Sequence, residues 1–158
     1  MKWIDYARPQ TVAEAVQLLT ERGDGARAMA GGTDLIVQLR VGRRQPDHVV
    51  DVKHIPDLNE VDTSGGGVTL GAAVPCHIIY NNEVIKDAFP ALVDSASIIG
   101  GTQIQGRASI GGNLCNAAPS ADAIPTLIAL GATANVSGST GDRSVAIEDF
   151  CTGPGQNV

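Results

Sequence analysis

Two Gly-Gly pairs set the strongest constraint on how this chain folds. Gly31-Gly32 follows the apolar segment 26–30, and Gly111-Gly112 follows Ser109-Ile110. Consecutive glycines let the backbone turn with positive φ and leave its N–H groups uncovered by a Cβ. Next to a helix N-terminus, such N–H groups can hold an anion. Two of these segments in one small chain predict a clamp that grips a diphosphate from two sides.

Each glycine pair alone is a weak signal, because Gly-Gly is also common in ordinary tight turns. Neither pair lies in a G-x-x-x-x-G-K-[ST] motif, which excludes a P-loop, and G-x-G-x-x-G is absent, so a nicotinamide fingerprint is unsupported. Glycine is nevertheless abundant, at 19 of 158 residues, against a typical share of about 7%. The excess indicates either loose linkers or backbone that approaches a ligand closely.

Composition excludes several classes of function. A net charge of −6 and an aromatic content of 3% make nucleic acid a poor partner. The three cysteines form no C-x-x-C pair, so no zinc ribbon or iron–sulfur cluster is expected within this chain. No apolar run has the length of a signal peptide or a membrane span, which predicts a cytoplasmic protein without a membrane-spanning segment.

The first third of the chain predicts a small α/β unit. A T-x-x-E capping box at Thr11 and Glu14 begins a helix over 11–23, and a buried strand covers 26–30. A second helix runs from Leu35 to near Gly42, and a strand covers 48–52. Helix and strand alternate in this way in parallel sheets.

The pattern changes after Pro56. A hairpin is predicted around residues 64–67, followed by helical stretches over 78–89 and 90–99. A helix over 122–130 follows, with Asp122 as a candidate cap, and then a strand over 132–136. We place the boundary between two lobes near residues 55–57.

Taken in order, these segments resemble the FAD-binding medium subunit of the molybdenum hydroxylases, the xanthine dehydrogenase and aerobic carbon monoxide dehydrogenase family. The resemblance covers essentially the whole chain as an N-terminal portion of such a subunit. It is carried by Ala30-Gly31-Gly32-Thr33-Asp34-Leu35, Gly100-Gly101-Thr102-Gln103-Ile104-Gln105-Gly106-Arg107-Ala108 and Ser109-Ile110-Gly111-Gly112-Asn113-Leu114-Cys115-Asn116-Ala117-Ala118-Pro119-Ser120-Ala121-Asp122.

The resemblance implies an α+β fold, namely a two-lobed FAD-binding domain of the p-cresol methylhydroxylase type. A small α/β lobe (1–55) would precede an α+β lobe with a mostly antiparallel sheet (56–158), and FAD would lie extended between them. Family members continue beyond the matched region, so the second lobe is expected to be incomplete and a C-terminal lobe missing. The resemblance assigns cofactor contacts, but no catalytic or metal-binding residue, to Ala28, Met29, Ala30, Gly31, Gly32, Thr33, Asp34, Leu35, Ile99, Ser109, Ile110, Gly111, Gly112, Asn113 and Asp122.

The resemblance also implies partners. The flavin would take electrons from [2Fe–2S] clusters in a small subunit, while a large subunit holds the molybdopterin, and it would pass them to NAD, a quinone or oxygen. Two alternatives stay open: a stand-alone FAD oxidase and a cofactor-free interaction module. Locally, Arg107 fits either a phosphate contact or an interface, and the basic run Arg40, Arg43 and Arg44 fits either a solvated face or a docking patch.

Overall fold

A computed structural model of the chain describes residues 2–158, and its first part contains a three-stranded parallel sheet. The strands are β1 (Asp5–Ala7), β2 (Ala26–Met29) and β3 (His48–Asp51), in the order β1-β3-β2. Parallel neighbours need a crossover connection, which α1 (Val12–Arg22) and α2 (Leu35–Arg40) provide. The predicted α/β unit is confirmed, with β2 and β3 each one residue shorter than expected.

The start of α1 follows the capping signal in the sequence. Thr11 Oγ1 accepts a hydrogen bond from the amide of Glu14 at 3.1 Å. The Glu14 carboxylate reaches back to the amide of Gln10 at 2.8 Å, one residue before the partner of a standard capping box. The helix ends at Gly23, where φ is 52°. Both ends of α1 therefore lie where the sequence predicts them.

The N-cap of α1 gives a first testable prediction. Replacing Thr11 by alanine removes the acceptor for the Glu14 amide and should lower the free energy of unfolding by about 1 kcal/mol. Urea denaturation followed by circular dichroism measures the change. Thr20→Ala is the matched control, because this exposed threonine lies inside the same helix and caps nothing. Equal unfolding midpoints for the two variants would contradict the capping role.

The sheet and α1 share a small hydrophobic cluster. Its buried members are Ala15, Val50 and Ile55, and partly buried side chains pack around them: Val12, Leu18, Leu19, Val52 and Leu58. The division of the chain at residue 55 stays a prediction.

The second part of the chain contains seven short α-helices among the described residues. Its helices are α3 (Cys76–Tyr80), α4 (Glu83–Ala88), α5 (Pro90–Ile98), α6 (Thr102–Gln105), α7 (Ile110–Asn116), α8 (Ile124–Ala129) and α9 (Ile147–Phe150). The single helical stretch expected over 78–89 is two helices, because Asn82 begins α4 by accepting a hydrogen bond from the amide of Ile85 at 3.1 Å.

The antiparallel strands of this part form three separate two-stranded sheets among the described residues. They pair β4 (Val61–Asp62) with β5 (Thr69–Leu70), β6 (Thr133–Gly138) with β7 (Gly141–Ala146), and β8 (Cys151–Gly153) with β9 (Gln156–Asn157). The hairpin at 64–67 and the strand after residue 131 are confirmed. The α+β class is confirmed as well.

A larger hydrophobic core holds the second part together. Its buried side chains come from several helices and include Ile79, Ile85, Leu92, Ile110 and Phe150. Because Ile110 is the first residue of α7, this core fixes the start of that helix. Among residues 2–158, no helix combines the length and the apolar character needed to cross a membrane.

Candidate functional site

The first glycine segment lies at the carboxyl end of the parallel sheet. It connects β2 to α2, the place where ligands bind in open α/β sheets. Gly31 and Gly32 are buried, and Gly32 has φ 76°. The expected positive φ at Gly31 is wrong, because only Gly32 of this pair adopts it. Within residues 2–158, the amides of residues 31–34 donate to no protein acceptor.

The first glycine segment packs against Arg107 and Ala108, the two residues that precede the second segment. A Cβ on Gly31 would overlap the carbonyl oxygen of Arg107 and lie 3.1 Å from Ala108 Cα. Arg107 Nε donates to the Gly31 carbonyl at 3.0 Å. Because Ser109 follows directly, the two glycine segments lie next to each other.

The second segment is a helix start instead of a glycine turn. Ser109 is the N-cap of α7, and its Oγ accepts from the amide of Gly112 at 3.0 Å. Neither Gly111 nor Gly112 has a positive φ, so the expected turn there is wrong. Packing explains why residue 111 is a glycine, because a Cβ at this position would lie 2.5 Å from the Ala72 carbonyl oxygen.

The remaining predicted site residues lie in or beside α7, in the larger core and in the first glycine segment. Asn113 Oδ1 accepts from the amide of Ala123 at 3.2 Å and so places the exposed Asp122 beside α7. Asp122 does not cap α8 as expected, because the cap position is Ala123 and has no side-chain bond. Ile99 is buried in the larger core together with Ile110. In the first segment, Met29, Ala30, Thr33 and Leu35 are half-buried, and Ala28 and Asp34 are exposed.

A lysine that the sequence did not single out lies behind the glycine segments. Lys53 Nζ donates to the Ala73 carbonyl at 2.5 Å and lies 3.5 Å from the Arg107 carbonyl oxygen. Burial, followed by the nearby Arg107 guanidinium, lowers the pKa of Lys53. Lys53 stands alone after β3 in a short 3₁₀ turn, so no motif could have identified it. The Lys53 ammonium group therefore adds a second positive charge near that of Arg107.

A tyrosine–aspartate pair lies at the same end of the sheet. Tyr6 donates its hydroxyl proton to Asp51 Oδ2 at 2.5 Å, and Asp51 Oδ1 accepts from the Lys53 amide at 2.9 Å. Asp51 is 3% exposed and lies beside Met29 in the sheet register. The hydrogen bond to Asp51, then burial and the negative charge of Asp51, raises the pKa of Tyr6 above 10.0. Tyr6 and Asp51 are 45 positions apart, so no local sequence pattern could have indicated that they are bonded.

A titration of the Tyr6 phenol tests its hydrogen bond to Asp51. Because the folded-state pKa of Tyr6 is raised, its stabilising contribution is full below about pH 10 and is lost as pH rises through the folded-state value. The chain has two tyrosines, so a Tyr80→Phe variant reports Tyr6 alone by its phenolate absorbance. We expect a midpoint above pH 10.0 that falls when Asp51→Asn is added. A midpoint at or below this value in the Tyr80→Phe variant would contradict the bond.

A wide cleft lies elsewhere. It measures about 660 Å³ and separates α1 from the turn between β6 and β7. Its charged side chains are all acidic, namely Glu21, Asp57 and Asp142, and these would repel a diphosphate. Within residues 2–158, no group of three or more His, Cys, Asp or Glu side chains is arranged to hold a metal ion.

Comparison with known proteins gives consistent relatives. The chain is 37% identical over 149 residues to the glyceraldehyde dehydrogenase medium chain of Sulfolobus acidocaldarius, covering 94% of this chain and 53% of the relative. It is also 37% identical over 153 residues to the xanthine dehydrogenase FAD-binding subunit of Escherichia coli O157:H7, covering 96% and 52%. The chain thus spans about half the length of the curated relatives it matches.

Solved structures agree with these relatives. A chain of carbon monoxide dehydrogenase from Hydrogenophaga pseudoflava superposes with a TM-score of 0.96 at 29% identity, covering 99% of this chain and 55% of that one. A chain of quinoline 2-oxidoreductase from Pseudomonas putida 86 gives a TM-score of 0.93 at 28% identity, with the same coverage. The family model described as "FAD binding domain in molybdopterin dehydrogenase" matches residues 2–158. The chain therefore belongs to the family of FAD-binding domains of molybdopterin dehydrogenases.

Proposed function

We propose that this chain binds FAD within an electron-transfer subunit of a molybdenum hydroxylase, with the cofactor diphosphate on the amides of residues 31–34. The observation that carries the proposal is this row of amide groups, which have no acceptor within residues 2–158. Buried backbone donors are normally paired, so buried Gly31 and Gly32 point to a ligand that accepts from them.

The surroundings of these amides fit a diphosphate. Gly32 has a positive φ that glycine adopts without strain. The amide of Gly111, in the first turn of α7, likewise has no acceptor among the described residues. Lys53 and Arg107 lie close behind and would offset part of the negative charge. The site thus combines backbone donors with two cations.

The other assigned contacts follow from this placement as proposals. Ala28, Met29, Ala30 and Leu35 would border the cofactor from the first segment, and Ser109, Gly112 and Asn113 from the second. The exposed carboxylate of Asp122, beside α7, would accept hydrogen bonds from cofactor hydroxyl groups. Ile99 would shape the site from the core side, since it packs in the same cluster as Ile110.

The larger assembly is part of the same proposal. The architecture would be the two-lobed p-cresol methylhydroxylase type, with lobes at 1–55 and 56–158. Electrons would come from the [2Fe–2S] clusters of a small subunit beside a molybdopterin-containing large subunit, and the flavin would pass them to an external acceptor. When bound, the isoalloxazine ring supplies this redox chemistry, while the chain binds and orients it. Relatives named as medium chains or FAD-binding subunits support the proposal that FAD and the other cofactors are bound by separate subunits.

A binding comparison between flavins tests the proposal. The chain is titrated with FAD and with riboflavin, which has the same ring system but no diphosphate, and flavin fluorescence is recorded. We expect FAD to bind at least tenfold more tightly, since several charge-assisted hydrogen bonds to the diphosphate would be worth more than the 1.4 kcal/mol that a factor of ten requires. ADP should compete with FAD.

Two glycine variants test whether FAD binds at the amides of residues 31–34. Gly32→Ala should weaken FAD binding, because it strains the backbone that presents the free amides. Gly66→Ala is the matched control, since Gly66 has φ 73° in a hairpin turn with open space around it. Equal affinities for FAD and riboflavin, or no flavin binding at all, would overturn the proposal and favour a cofactor-free interaction module.

A further inference from the structure

The ammonium group of Lys53 connects the parallel sheet to the second part of the chain. Its Nζ donates to the carbonyl oxygen of Ala73 at 2.5 Å and to that of Arg107 at 3.5 Å. Lys53 follows β3, whereas Ala73 lies shortly before α3 and Arg107 shortly before α7. One cation therefore bonds to two backbone segments that are distant from each other along the chain.

Both of these carbonyl groups belong to backbone that packs against a glycine of the candidate site. The Arg107 carbonyl oxygen is the atom that a Cβ on Gly31 would overlap. Ala73 directly follows Ala72, whose carbonyl oxygen would lie 2.5 Å from a Cβ on Gly111. The ammonium group thus holds the backbone against which each glycine segment packs.

The backbone of Lys53 is itself held on both sides. Its amide donates to Asp51 Oδ1 at 2.9 Å, and its carbonyl oxygen accepts from Asn59 Nδ2 at 2.8 Å. Ile55, two residues further along, is fully buried. Because these contacts fix the start of a flexible side chain, less conformational freedom is lost when Nζ bonds to the two carbonyl groups.

Three charged or titratable groups face the Lys53 ammonium group, namely Asp51, Cys76 and Arg107. Asp51 is shared with other partners, since it accepts from the Tyr6 hydroxyl at 2.5 Å and lies 3.8 Å from His54 Nε2. No carboxylate within residues 2–158 lies within 4 Å of Lys53 Nζ. The described part of the chain therefore provides no direct counter-ion for this ammonium group.

The pKa of Lys53 reflects these surroundings. Burial, followed by the positive charge of Arg107, lowers it below the ordinary value of 10.5. Gly31 and Lys53 both lie against the Arg107 carbonyl, so a diphosphate on the amides of residues 31–34 would bring negative charge near the ammonium group. A nearby opposite charge favours the charged form of a lysine. Bound FAD should therefore raise the pKa of Lys53.

From these contacts we infer that Lys53 is a positioning residue for the FAD diphosphate, which its ammonium group serves by holding the backbone behind both glycine segments. The inference rests on the proposed function and adds a proton to it. Protonation of Lys53 and binding of FAD strengthen each other, because coupling between two binding events is reciprocal. FAD should therefore bind more weakly as the pH rises through the pKa of Lys53.

The direct test follows the ionisation of Lys53 by nuclear magnetic resonance. The chain has three lysines, so a ¹³C-lysine label gives three ε-carbon signals, and the variants Lys2→Arg and Lys86→Arg assign the other two. The Lys53 signal should titrate with a midpoint below 10.5, and saturating FAD or ADP should raise this midpoint. Riboflavin, which has no diphosphate, should leave it unchanged. Lys86, paired with Glu83 at 2.7 Å on α4, is the internal control.

A lysine variant tests the positioning role. Lys53→Met keeps a long apolar side chain but removes the charge and both bonds to the carbonyl groups. It should weaken FAD binding by about tenfold or more and abolish its dependence on pH in the range where Lys53 titrates, because charge-assisted hydrogen bonds are lost. Riboflavin binding should change less. Lys86→Met is the matched control, since this lysine bonds only to an exposed carboxylate.

The outcomes separate this inference from the proposed function. A Lys53 midpoint that FAD does not change, while FAD binds at the amides of residues 31–34, would overturn the inference and leave the proposed function intact. A folded Lys53→Met variant that binds FAD as tightly as wild type would also overturn it. If this variant does not fold, the wild-type titration decides alone. Failure of the wild-type chain to bind FAD would overturn the proposed function and the inference together.

Discussion

A Gly31→Ala variant is expected to lose FAD binding and to unfold more easily than the wild-type chain by about 3 kcal/mol, the upper part of the usual range for overpacking. The added Cβ would overlap the carbonyl oxygen of Arg107, which is backbone and cannot rotate away. The segment must then move, and the Arg107–Gly31 hydrogen bond that joins the two glycine segments is lost. Urea denaturation measures the stability, and flavin absorbance after reconstitution measures the occupancy.

The control for this prediction is Gly25→Ala. A Cβ on Gly25 would meet only the Asp47 carboxylate, at an ordinary distance of 3.7 Å, and no positive φ is involved. This variant should keep both its stability and its FAD. Full FAD occupancy in Gly31→Ala would show that the contact with Arg107 does not position the cofactor segment.

The second large effect is expected at Gly111. Gly111→Ala places a Cβ 2.5 Å from the Ala72 carbonyl oxygen and 2.7 Å from Ala72 Cα. It should therefore destabilise the flavin-free chain by about 3 kcal/mol, because the start of α7 must shift away from Ala72. Thermal unfolding without added flavin gives the measurement.

Gly112→Ala is the matched control, one position further along α7. Here the nearest atom to an added Cβ is Ser109 Oγ at 3.0 Å, and alanine favours a helix more than glycine does. Its effect should be within about 1 kcal/mol of wild type. If Gly111→Ala altered FAD affinity but left the flavin-free stability unchanged, Gly111 would serve the ligand and not the packing.

Local signals in the sequence predicted much of the fold. Thr11 and Gly23 bound α1, and apolar segments with turn residues between them indicated the parallel strands. These signals depend on interactions between residues that are close in sequence, so tertiary packing does not alter them. The break between α3 and α4 was missed, because the cap at Asn82 competes with a continuous helical pattern.

The tertiary contacts at the candidate site could not be predicted from the sequence. Gly31-Gly32 and Gly111-Gly112 look alike as sequence, yet only Gly32 adopts a positive φ, and Gly111 is glycine because Ala72 lies against it. Contacts of this kind join residues distant along the chain. The same holds for the bonds from Lys53 to Ala73 and from Tyr6 to Asp51. Such contacts depend on tertiary packing, which no local pattern encodes.

The free amides of residues 31–34 are the proposed binding site of the FAD diphosphate. The most direct measurement is the amide nuclear magnetic resonance spectrum of the ¹⁵N-labelled chain during titration with FAD. We expect the amides of residues 31–34, together with that of Gly111, to shift most, and ADP to shift them in the same direction. Unchanged resonances there, with the largest shifts in the acidic cleft beside α1, would contradict it.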